Sequence, residues 1–570
     1  MIDMMHTFSR FTLFLFTLFL FSSCNVSTVN DSPYSYLYEN LPFEMPLLSP
    51  PTFPDYSVSV ADFGGVGDGT SLNTGAFAKA MDHLSSRGGG RLIVPAGVWF
   101  TGPIVLQSNI NLHLEDRSII LFSPDKDLYP LVETSFEGLD TRRCQSPIWG
   151  KDLHNIAITG SGAIDGNGHY WRPLKKDKVT EREWERATSQ GGVFKRDDYW
   201  MPSAAYLHGD TTSDMNVPRN LKSEEEWLAL RDFLRPVMVS LQNCKDVFLQ
   251  GVIFQNSPAW NIHPLMCENV IIDGIQVRNP SFAQNGDGID LESCRNSLIV
   301  NSTFDVGDDA ICVKSGKDED GRRRSMPTEN LIVDNCTVFK GHGGFVVGSE
   351  MSGGVKNVSV SNCQFMGTDV GLRFKSRRGR GGVVENIYIS DISMFDIATE
   401  PLLFNLFYGG KSAVESLEDG DQVPQEERLP PIDETTPAFR NIFVERITCR
   451  NARRAMYFHG LPEQNIGNIH IEDFVVHARE GAELIDSEEI TLKNIQIFAE
   501  SGAALKLYNV RNLTVENLIT DPVAETIYQV RGSKTEKITL NRGVDQTLIG
   551  PEVEKDAVTF VTEPAKAERQ

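Results

Sequence analysis

The chain has 570 residues, of which 40% are hydrophobic, so there is ample material for a buried core. Its formal net charge is −23, which argues against a nucleic-acid partner because phosphate binding requires a basic face. Length alone does not fix the number of domains, since repeat folds grow as single units.

The N-terminal residues are typical of an export signal. The run Phe11–Phe21 is largely apolar, too short to cross a bilayer as a helix, and of the length of a signal-peptide core. Ser22-Ser23-Cys24 resembles a bacterial lipobox, which predicts a signal peptide over residues 1–23 and lipidation of Cys24. We therefore expect a periplasmic or outer-membrane-associated lipoprotein of a Gram-negative bacterium or, without lipidation, a secreted protein.

Eight further cysteines lie mostly inside apolar, strand-like runs. Export would permit disulfides, but Cys336 and Cys363 each fall six residues after a repeated asparagine, which favours cysteines stacked in a buried core. No spacing of Cys and His suits zinc, and we expect no cofactor. The eight are Cys144, Cys244, Cys267, Cys294, Cys312, Cys336, Cys363 and Cys449.

A short repeat recurs through most of the chain: Asn, or a polar substitute, followed by alternating apolar residues. Each unit holds two or three short strands separated by Gly, Asn and Asp turns, with no helix between them, which predicts a β-solenoid. We expect the repeated asparagines to stack in a ladder that satisfies turn amides. The repeat begins at Asn155, Asp246, Asn269, Asn296, Asn330, Asn357, Asn386, Asn441, Asn468, Glu489 and Asn512.

The predicted architecture is all-β, a right-handed parallel β-helix that forms one domain over residues 56–560. A tether and lead-in over 24–55 should precede it, and a tail over 561–570 should follow. A helix over 74–86, with Asn73 as its cap and one apolar face, is expected to cover the N-terminal strand edges.

Two stretches break the repeat. Residues 171–235 hold four of the seven tryptophans, and residues 409–438 are acidic and contain proline. Long loops on a rigid solenoid are typical of the walls of a binding cleft, and exposed aromatic residues need a sugar or a core to cover.

Four polar motifs follow one another on consecutive coils between residues 285 and 375. Residues one period apart lie one coil apart, roughly 5 Å along the axis, so the motifs can converge on one face. Three carboxylates held together repel, which raises at least one pKa and lets an acid and a base coexist, as glycosidic cleavage requires. We expect nearby Asp290 to cap turn amides, and Trp260 and His263 to be core and turn residues. The motifs are Asn285-Gly-Asp287, Asp308-Asp309, Gly341-His342-Gly343 and Arg373-Phe-Lys375.

These motifs resemble those of the polygalacturonases of glycoside hydrolase family 28, in which the first usually reads Asn-Thr-Asp and the last often Arg-Ile-Lys. Gly286 and Phe374 depart from that pattern, but neither change removes a catalytic side chain. The resemblance implies an inverting hydrolase of α-1,4-galacturonosyl linkages in pectin, with a pectic polysaccharide or oligogalacturonide as substrate. In an inverting pair the carboxyl groups are expected roughly 6.5–9.5 Å apart, which leaves room for water.

The resemblance also implies roles for single residues. Asp308 would be the general acid, Asp287 and Asp309 would activate the attacking water, and His342 would tune Asp308. Basic residues near the last motif would focus an anionic polymer on an acidic protein. The implied substrate-binding residues are Asn285, Arg373, Lys375 and Tyr408.

Lys314–Gly321 and Gly348–Gly354 resemble the bacterial exo-acting branch, in which inserted loops close one end of the groove. We therefore expect attack at chain ends, with residues 171–235 closing the groove. The nearest alternative is a hydrolase of rhamnogalacturonan or another complex pectin linkage. Further alternatives are a calcium-dependent pectate lyase and a non-catalytic glycan-binding or adhesion solenoid. The oligomeric state is left open.

Overall fold

The computed structural model describes residues 32–409, 429–521, 526–541 and 544–561. Cys24, the predicted signal peptide and nearly all of the predicted tail lie outside these residues, as does most of the second predicted insertion. None of the helices in the described ranges is long and apolar enough to cross a membrane.

Successive coils stack their strands in parallel, and the predicted parallel β-helix is confirmed. We name its three faces sheet 1, sheet 2 and sheet 3, in the order in which the chain crosses them. Sheet 1 comprises Ser57–Ser59, Gly90–Val94, Ile110–Leu114, His154–Gly160, Lys245–Gln250, Glu268–Asp273, Arg295–Val300, Thr328–Asp334, Val355–Ser361, Val383–Ile397, Ala438–Arg454, Ile466–Ile485, Ser487–Tyr508, Arg511–Thr520, Glu536–Leu540 and Val558–Phe560.

The other two faces carry shorter strands, and some long strands bend from one face to the next. Sheet 2 comprises Gly97–Thr101, Ser118–Phe122, Ala163–Asp165, Ile253–Gln255, Gln276–Arg278, Thr303–Asp305, the start of Thr337–Gly348, and Gln364–Met366, and continues into the long strands of sheet 1. Sheet 3 comprises Ile104–Val105, Ile148–Lys151, Val239–Gln242, Ile262–Leu265, Ile289–Glu292, Asp309–Lys314, the end of Thr337–Gly348, Thr368–Lys375, Leu402–Asn405, Tyr457–His459, the ends of Ile466–Ile485 and Ser487–Tyr508, Tyr528–Arg531 and Thr547–Ile549.

Helices and antiparallel strands decorate the solenoid. The α-helices are α1 (Thr74–Ser86), α2 (Glu181–Thr188), α3 (Ala204–Asp210), α4 (Glu224–Ala229) and α5 (Asp318–Arg324). The 3-10 helices are Ser35–Tyr38, Val60–Phe63, Lys126–Leu128, Gly168–Tyr170, Lys176–Lys178, Arg231–Phe233 and Val544–Gln546. The antiparallel strands are Leu131–Phe136 with Leu139–Cys144, and Leu174–Lys175, Val193–Arg196 and Tyr199–Met201.

The repeated asparagines lie near the start of the sheet 1 strands, in a backbone conformation that only a few residue types tolerate. Asn330, for example, has a φ of 59°, and its neighbours in the repeat have similar values, in the left-handed region that Asn enters more readily than most residues. The predicted ladder is present, but its partners differ from the prediction. Asn330 Nδ2 donates to Asn296 Oδ1 at 3.0 Å and Asn357 Nδ2 donates to Asn330 Oδ1 at 3.1 Å, so the carboxamides satisfy one another rather than turn amides.

The core confirms two sequence predictions. All eight cysteines that lie within the described residues are buried and free, and Cys267 N donates to Cys294 Sγ across neighbouring coils. Helix α1 covers the first coils with its predicted apolar face. Asn73 is at the predicted N-cap position, but the predicted capping hydrogen bond is absent. Its side chain instead forms hydrogen bonds with the backbone of Val66 and Phe100.

The insertion at 171–235 forms apolar clusters together with residues outside it, such as Tyr129 and Phe282. Trp171, Trp184 and Trp200 are buried in its apolar clusters, and Trp227 is half-buried, so these rings cover a core rather than line an open wall. The sequence analysis missed the antiparallel hairpin Leu131–Cys144, which the insertion braces: Arg142 makes a bidentate contact with Glu224 of α4 at 2.7 and 3.2 Å.

Residues 32–55 do not extend freely as a tether. Tyr34 and Leu48 are buried against the outer face of sheet 1, where they cover apolar residues such as Phe248 and Leu298. The Tyr34 hydroxyl donates to Asp273 Oδ2 at 3.0 Å. The chain therefore reaches its first coil after lying along the solenoid.

Candidate active site

The four sequence motifs meet on the outer face of sheet 3. The register explains why: Asp309 lies beside Gly343 of the next coil, and Lys375 lies beside Gly348. The amide of Gly288 donates to the carbonyl of Asp309, which places Asp287 directly beside the same coil. Parallel stacking thus turns distant sequence positions into neighbours about 5 Å apart.

The carboxylates of Asp287, Asp308 and Asp309 each place one oxygen within 4.8 Å of the other two. The expected separation of roughly 6.5–9.5 Å is therefore wrong for these atoms. The reason is geometric, since Asp287 and Asp309 stack on neighbouring coils and Asp308 follows Asp309 directly in sequence.

Asp309 is buried and paired with two cations. Lys375 Nζ lies 2.7 Å from its Oδ2, and an Arg373 guanidinium nitrogen lies 3.3 Å from its Oδ1. Burial alone would raise the pKa of Asp309, but Lys375 and then Arg373 outweigh burial and hold the pKa below its usual value. This carboxylate is therefore ionised at any working pH.

Asp287 has the opposite environment. It is buried, and its Oδ1 has no hydrogen-bond partner among the described residues. Burial first, and then the neighbouring charges of Asp290 and Asp308, raise the pKa of Asp287 well above its usual value. The pKa values of Asp287 and Asp309, one coil apart, are thus shifted in opposite directions.

Asp308 is the most exposed member of the trio, with 26% of its side chain accessible. Its Oδ1 accepts a hydrogen bond from the Asp309 amide at 3.1 Å and lies 3.1 Å from Nδ1 of His342. The hydrogen bond to Asp308 raises the pKa of His342 above its usual value. Asp308 therefore faces the open cleft beside an imidazole whose pKa is raised.

Asp290 was expected to cap a turn, and this expectation is wrong. It lies within a sheet 3 strand, fully buried, and neither carboxyl oxygen has a hydrogen-bond partner in the described part of the chain. Lys314 Nζ lies 3.5 Å from Asp290 Oδ1 and 3.1 Å from Glu350 Oε2. The predicted site set omitted Lys314 and Glu350, although both fall inside motifs that the sequence analysis singled out.

Asn285 and Tyr408 complete the predicted substrate-binding set at this face. Lys375 Nζ lies 5.2 Å and the Arg373 guanidinium 5.9 Å from the centre of the Tyr408 ring. Asn285 Oδ1 accepts a hydrogen bond from Arg235 at 2.9 Å. All eight predicted catalytic and substrate-binding residues therefore lie at one place.

A cleft of about 250 Å³ opens above these side chains. Trp260 forms part of its wall and stacks on Phe136 of the hairpin Leu131–Cys144, with ring centres 4.5 Å apart. Glu137 at the hairpin tip lines the cleft, and Gly138 O accepts a hydrogen bond from the Lys317 amide. No residue of the insertion at 171–235 lines this cleft, so the closing role expected for it is wrong; the insertion supports the hairpin that does line it.

The basic residues near the last motif differ in their availability. Arg378 pairs with Glu463, and Arg380 lines the cleft but pairs with Asp318. Arg377 also lines the cleft and has no ion pair in the described residues. The expected basic groove is therefore narrow: Arg373 and Lys375 already balance Asp309, and Arg377 adds one further positive charge at the rim.

Chemically, this arrangement offers an ionised carboxylate in Asp309, a buried carboxyl with a raised pKa in Asp287, and in Asp308 a solvent-facing carboxyl beside His342. A glycosidic bond placed over Asp308 would meet both an acid for the leaving oxygen and carboxylates able to hold water. The same three aspartates also form a group that could hold a cation. Lys375 Nζ and an Arg373 nitrogen, however, already contact the two carboxylate oxygens of Asp309.

Comparisons with known proteins agree with this geometry. Residues 231–417 match the family model described as Glycosyl hydrolases family 28. A protein from Vitis vinifera described as "Probable polygalacturonase" is 33% identical over 349 residues, which cover 60% of this chain and 61% of that protein. An "Exo-poly-alpha-D-galacturonosidase" from Dickeya chrysanthemi is 28% identical over 359 residues, which cover 62% of this chain and 57% of that protein. The chain thus spans less than two thirds of the length of both relatives.

A solved structure extends the match along the solenoid. The crystal structure of a hyperthermoactive exopolygalacturonase from Thermotoga maritima is 33% identical to this chain, with a TM-score of 0.63. The alignment covers 83% of this chain and 94% of the Thermotoga chain. With this identity over nearly all of a solved chain, and with all four motifs on one face of the same kind of β-helix, the protein belongs to glycosyl hydrolase family 28.

Proposed function

We propose that the protein hydrolyses α-1,4-galacturonosyl linkages in pectin, with a pectic polysaccharide or oligogalacturonide as its substrate. The observation that carries this proposal is the trio Asp287, Asp308 and Asp309, whose oxygens lie within 4.8 Å of one another while their surroundings differ. Family membership and the names of the relatives support the substrate class.

In the proposed reaction, Asp308 gives its proton to the departing glycosidic oxygen while the bond from that oxygen to the anomeric carbon breaks. A water held by Asp287 and Asp309 attacks the anomeric carbon. Asp309 stays ionised beside Lys375, so the pair Asp287 and Asp309 holds the water and its ionised carboxylate takes the proton of the water. His342, half-exposed and bonded to Asp308, then returns a proton from solvent to Asp308, and the base releases the proton of the water to solvent.

We also propose that the configuration at the anomeric carbon is inverted. Two carboxylates on neighbouring coils can hold one water between them, which gives the attacking oxygen a fixed position apart from Asp308. Proton NMR during the first minutes of digestion would show the new reducing end in the configuration opposite to the substrate. A retained configuration would overturn the water-mediated step.

We propose attack at chain ends, and the hairpin that forms one wall of the cleft supports this mode. The hairpin Leu131–Cys144 lies on the side of the earlier coils, through Phe136 on Trp260, whereas Tyr408 lies on the side of the later coils. Helix α5 secures this wall, because Arg324 pairs with Asp140 of the hairpin at 3.0 Å. A galacturonan chain would therefore enter from the Tyr408 side and present only its terminal sugar to Asp308.

The test is digestion of a panel of defined substrates: oligogalacturonides, methyl-esterified oligogalacturonides and rhamnogalacturonan oligosaccharides. We expect monomeric galacturonate from the first time point, and slower cleavage of the methyl esters because the cations then lose their carboxylate partner. An early ladder of mid-length products would overturn the end-attack assignment. Preferred cleavage of rhamnogalacturonan would overturn the linkage, and no sugar release from any substrate would favour a binding solenoid.

One observation favours a second candidate, a calcium-dependent lyase, because three clustered aspartates could hold a cation. The ion pairs of Asp309 with Lys375 and Arg373 argue against it, since a calcium ion would have to displace a bonded ammonium group. A chelator separates the two: the hydrolase should keep its rate in EDTA and release no unsaturated product absorbing in the ultraviolet.

We further propose that the protein is exported and anchored through a lipid on Cys24. The apolar run before Cys24 supports this location. Since residues from Tyr34 onwards pack on sheet 1, only a short segment would separate the lipid from the solenoid. Cys24→Ala should move the protein from the membrane fraction to the soluble fraction; a parent protein already soluble would dispose of the anchor.

A further inference from the structure

A buried arginine lies directly behind the candidate active site. Arg235 is 2% exposed and does not line the cleft. Its guanidinium donates to the carbonyl oxygens of Pro258 and Gln284 at 2.8 and 2.9 Å, and to Asn285 Oδ1 at 2.9 Å. Within the described residues it forms no ion pair, so a full positive charge is held here by oxygen dipoles alone.

The contact with Asn285 fixes which atom of that amide faces the cleft. A carboxamide has one accepting oxygen and one donating nitrogen on opposite sides. Since Arg235 takes the oxygen, the Asn285 nitrogen is directed away from Arg235, and it has no hydrogen-bond partner in the described part of the protein. Asn285 lines the cleft two residues before Asp287.

Arg235 also holds the backbone of the loop that carries Asn285. Its bond to the Gln284 carbonyl lies next to the residue that it orients, and its bond to Pro258 ties that loop to the preceding coil. Asn285 itself has a φ of 53°, a left-handed conformation in which small displacements of the loop would turn the side chain. Three bonds from one rigid guanidinium prevent such a turn.

We propose that Arg235 is a positioning residue that presents the Asn285 side-chain nitrogen to the cleft as an obligatory hydrogen-bond donor. The ligand atom that it selects is an acceptor oxygen, a carboxylate or hydroxyl oxygen of the terminal uronic acid unit. This inference rests on the proposed function, because the acceptor belongs to the sugar held over Asp287 and Asp308.

Asn285→Asp gives the most direct test. The carboxylate keeps the shape of the amide and forms an ion pair with Arg235, so the melting temperature should be kept or raised. The atom facing the cleft changes from a donor to an anionic acceptor, and kcat/KM on trigalacturonate should fall about 10- to 100-fold, as for loss of one hydrogen bond to a charged group. If Asn285→Asp retains kcat/KM within twofold of the parent, the inference is overturned.

Arg235→Lys tests the orienting role, since a single ammonium group cannot reach all three acceptors. We expect a similar fall in kcat/KM, expressed mainly in KM. The matched control is Arg172→Lys: Arg172 is also buried and also donates to a carbonyl and an asparagine oxygen, Ser257 O at 2.9 Å and Asn256 Oδ1 at 2.7 Å, but neither lines the cleft. The control should lose a comparable amount of melting temperature and keep its kcat/KM.

A double-mutant cycle separates positioning from general support of the fold. In an Asn285→Gly background, which suits the left-handed backbone, Arg235→Lys should cause little further loss of kcat/KM because the amide that it orients is gone. Equal losses in both backgrounds would show that Arg235 acts without Asn285 and would overturn the inference. A parent protein that cleaves no galacturonan would instead overturn the proposed function, so the two failures are distinct.

Discussion

Two regions of the same solenoid stack polar side chains from coil to coil, but the side chains differ in charge. Near the start of the sheet 1 strands, coil after coil places an asparagine at the same register, and each carboxamide bonds to the next. On sheet 3 the same stacking brings Asp287, Asp309 and Lys375 together. Neutral partners satisfy each other in the first region, whereas unlike and like charges are buried together in the second.

The comparison shows where stability and function reside. The asparagine ladder leaves no side-chain charge to desolvate, so each rung should add to stability. The sheet 3 cluster buries several carboxyls, and some of their oxygens have no partner among the described residues, which costs free energy. Changes on sheet 3 should therefore affect catalysis first, and changes in the ladder should affect stability first.

The largest expected effect is on sheet 3. Asp308→Asn keeps the shape of the side chain but removes the proton that the leaving oxygen needs, so kcat should fall by about 10²–10⁴. Asp308 is partly exposed, and its loss should change the melting temperature little. Steady-state kinetics on trigalacturonate, with binding of the uncleaved substrate as control, would measure the two separately. A kcat close to the parent value would remove Asp308 from the role of acid.

Lys375→Met should change both catalysis and stability. It removes the nearest cation from buried Asp309, so burial is opposed only by Arg373 and the pKa of Asp309 should rise. The acid limb of the kcat/KM profile should then move to higher pH, because Asp309 must be ionised to hold the water. The free energy of unfolding should fall by about 3 kcal/mol, since a buried charge loses a partner.

A matched control for Lys375→Met is Arg446→Met, which breaks the exposed ion pair with Asp391 at 2.8 Å. Its cost should stay below about 1 kcal/mol, and the pH profile should not move. A Lys375→Met variant whose acid limb coincides with that of the parent would show that the charge of Asp309 does not limit the reaction.

The smallest effect is expected in the ladder. Asn330→Ala loses hydrogen bonds to Asn296 and from Asn357 and forces a Cβ-bearing residue without a polar side chain into a φ of 59°. We expect a loss of about 2 kcal/mol in the free energy of unfolding, with kcat/KM unchanged. Asn330→Gly removes the same bonds without the backbone strain, so it should lose less. An Asn330→Ala variant with impaired kcat/KM but unchanged stability would contradict the separation of the two regions.

The sequence alone was sufficient to predict the solenoid and its candidate active-site motifs. A repeat that begins with asparagine predicts stacked strands, because residues at one period must share a register, and the motifs at Asn285, Asp308, His342 and Arg373 then converge. The register is a local property of the repeat, so no long-range information was needed for it.

Other features depend on contacts between segments far apart in the chain. The hairpin Leu131–Cys144 has no repeat pattern, and its place at the cleft depends on Phe136 meeting Trp260. The insertion at 171–235 was predicted to be a cleft wall because of its tryptophans. Their burial depends on residues from other parts of the chain, which the sequence pattern does not specify. Lys314, Glu350 and Arg235 belong to the site only through partners on other coils.

By itself, then, the sequence determined the β-helix, the register of its coils and the convergence of the four polar motifs, since all three follow from a fixed period along one chain. Tertiary structure alone decided the charge state of each carboxyl, the wall of the cleft and the orientation of Asn285. The physical reason is that pKa values, closure and amide orientation depend on burial and on partners from other coils, and a one-dimensional pattern specifies neither.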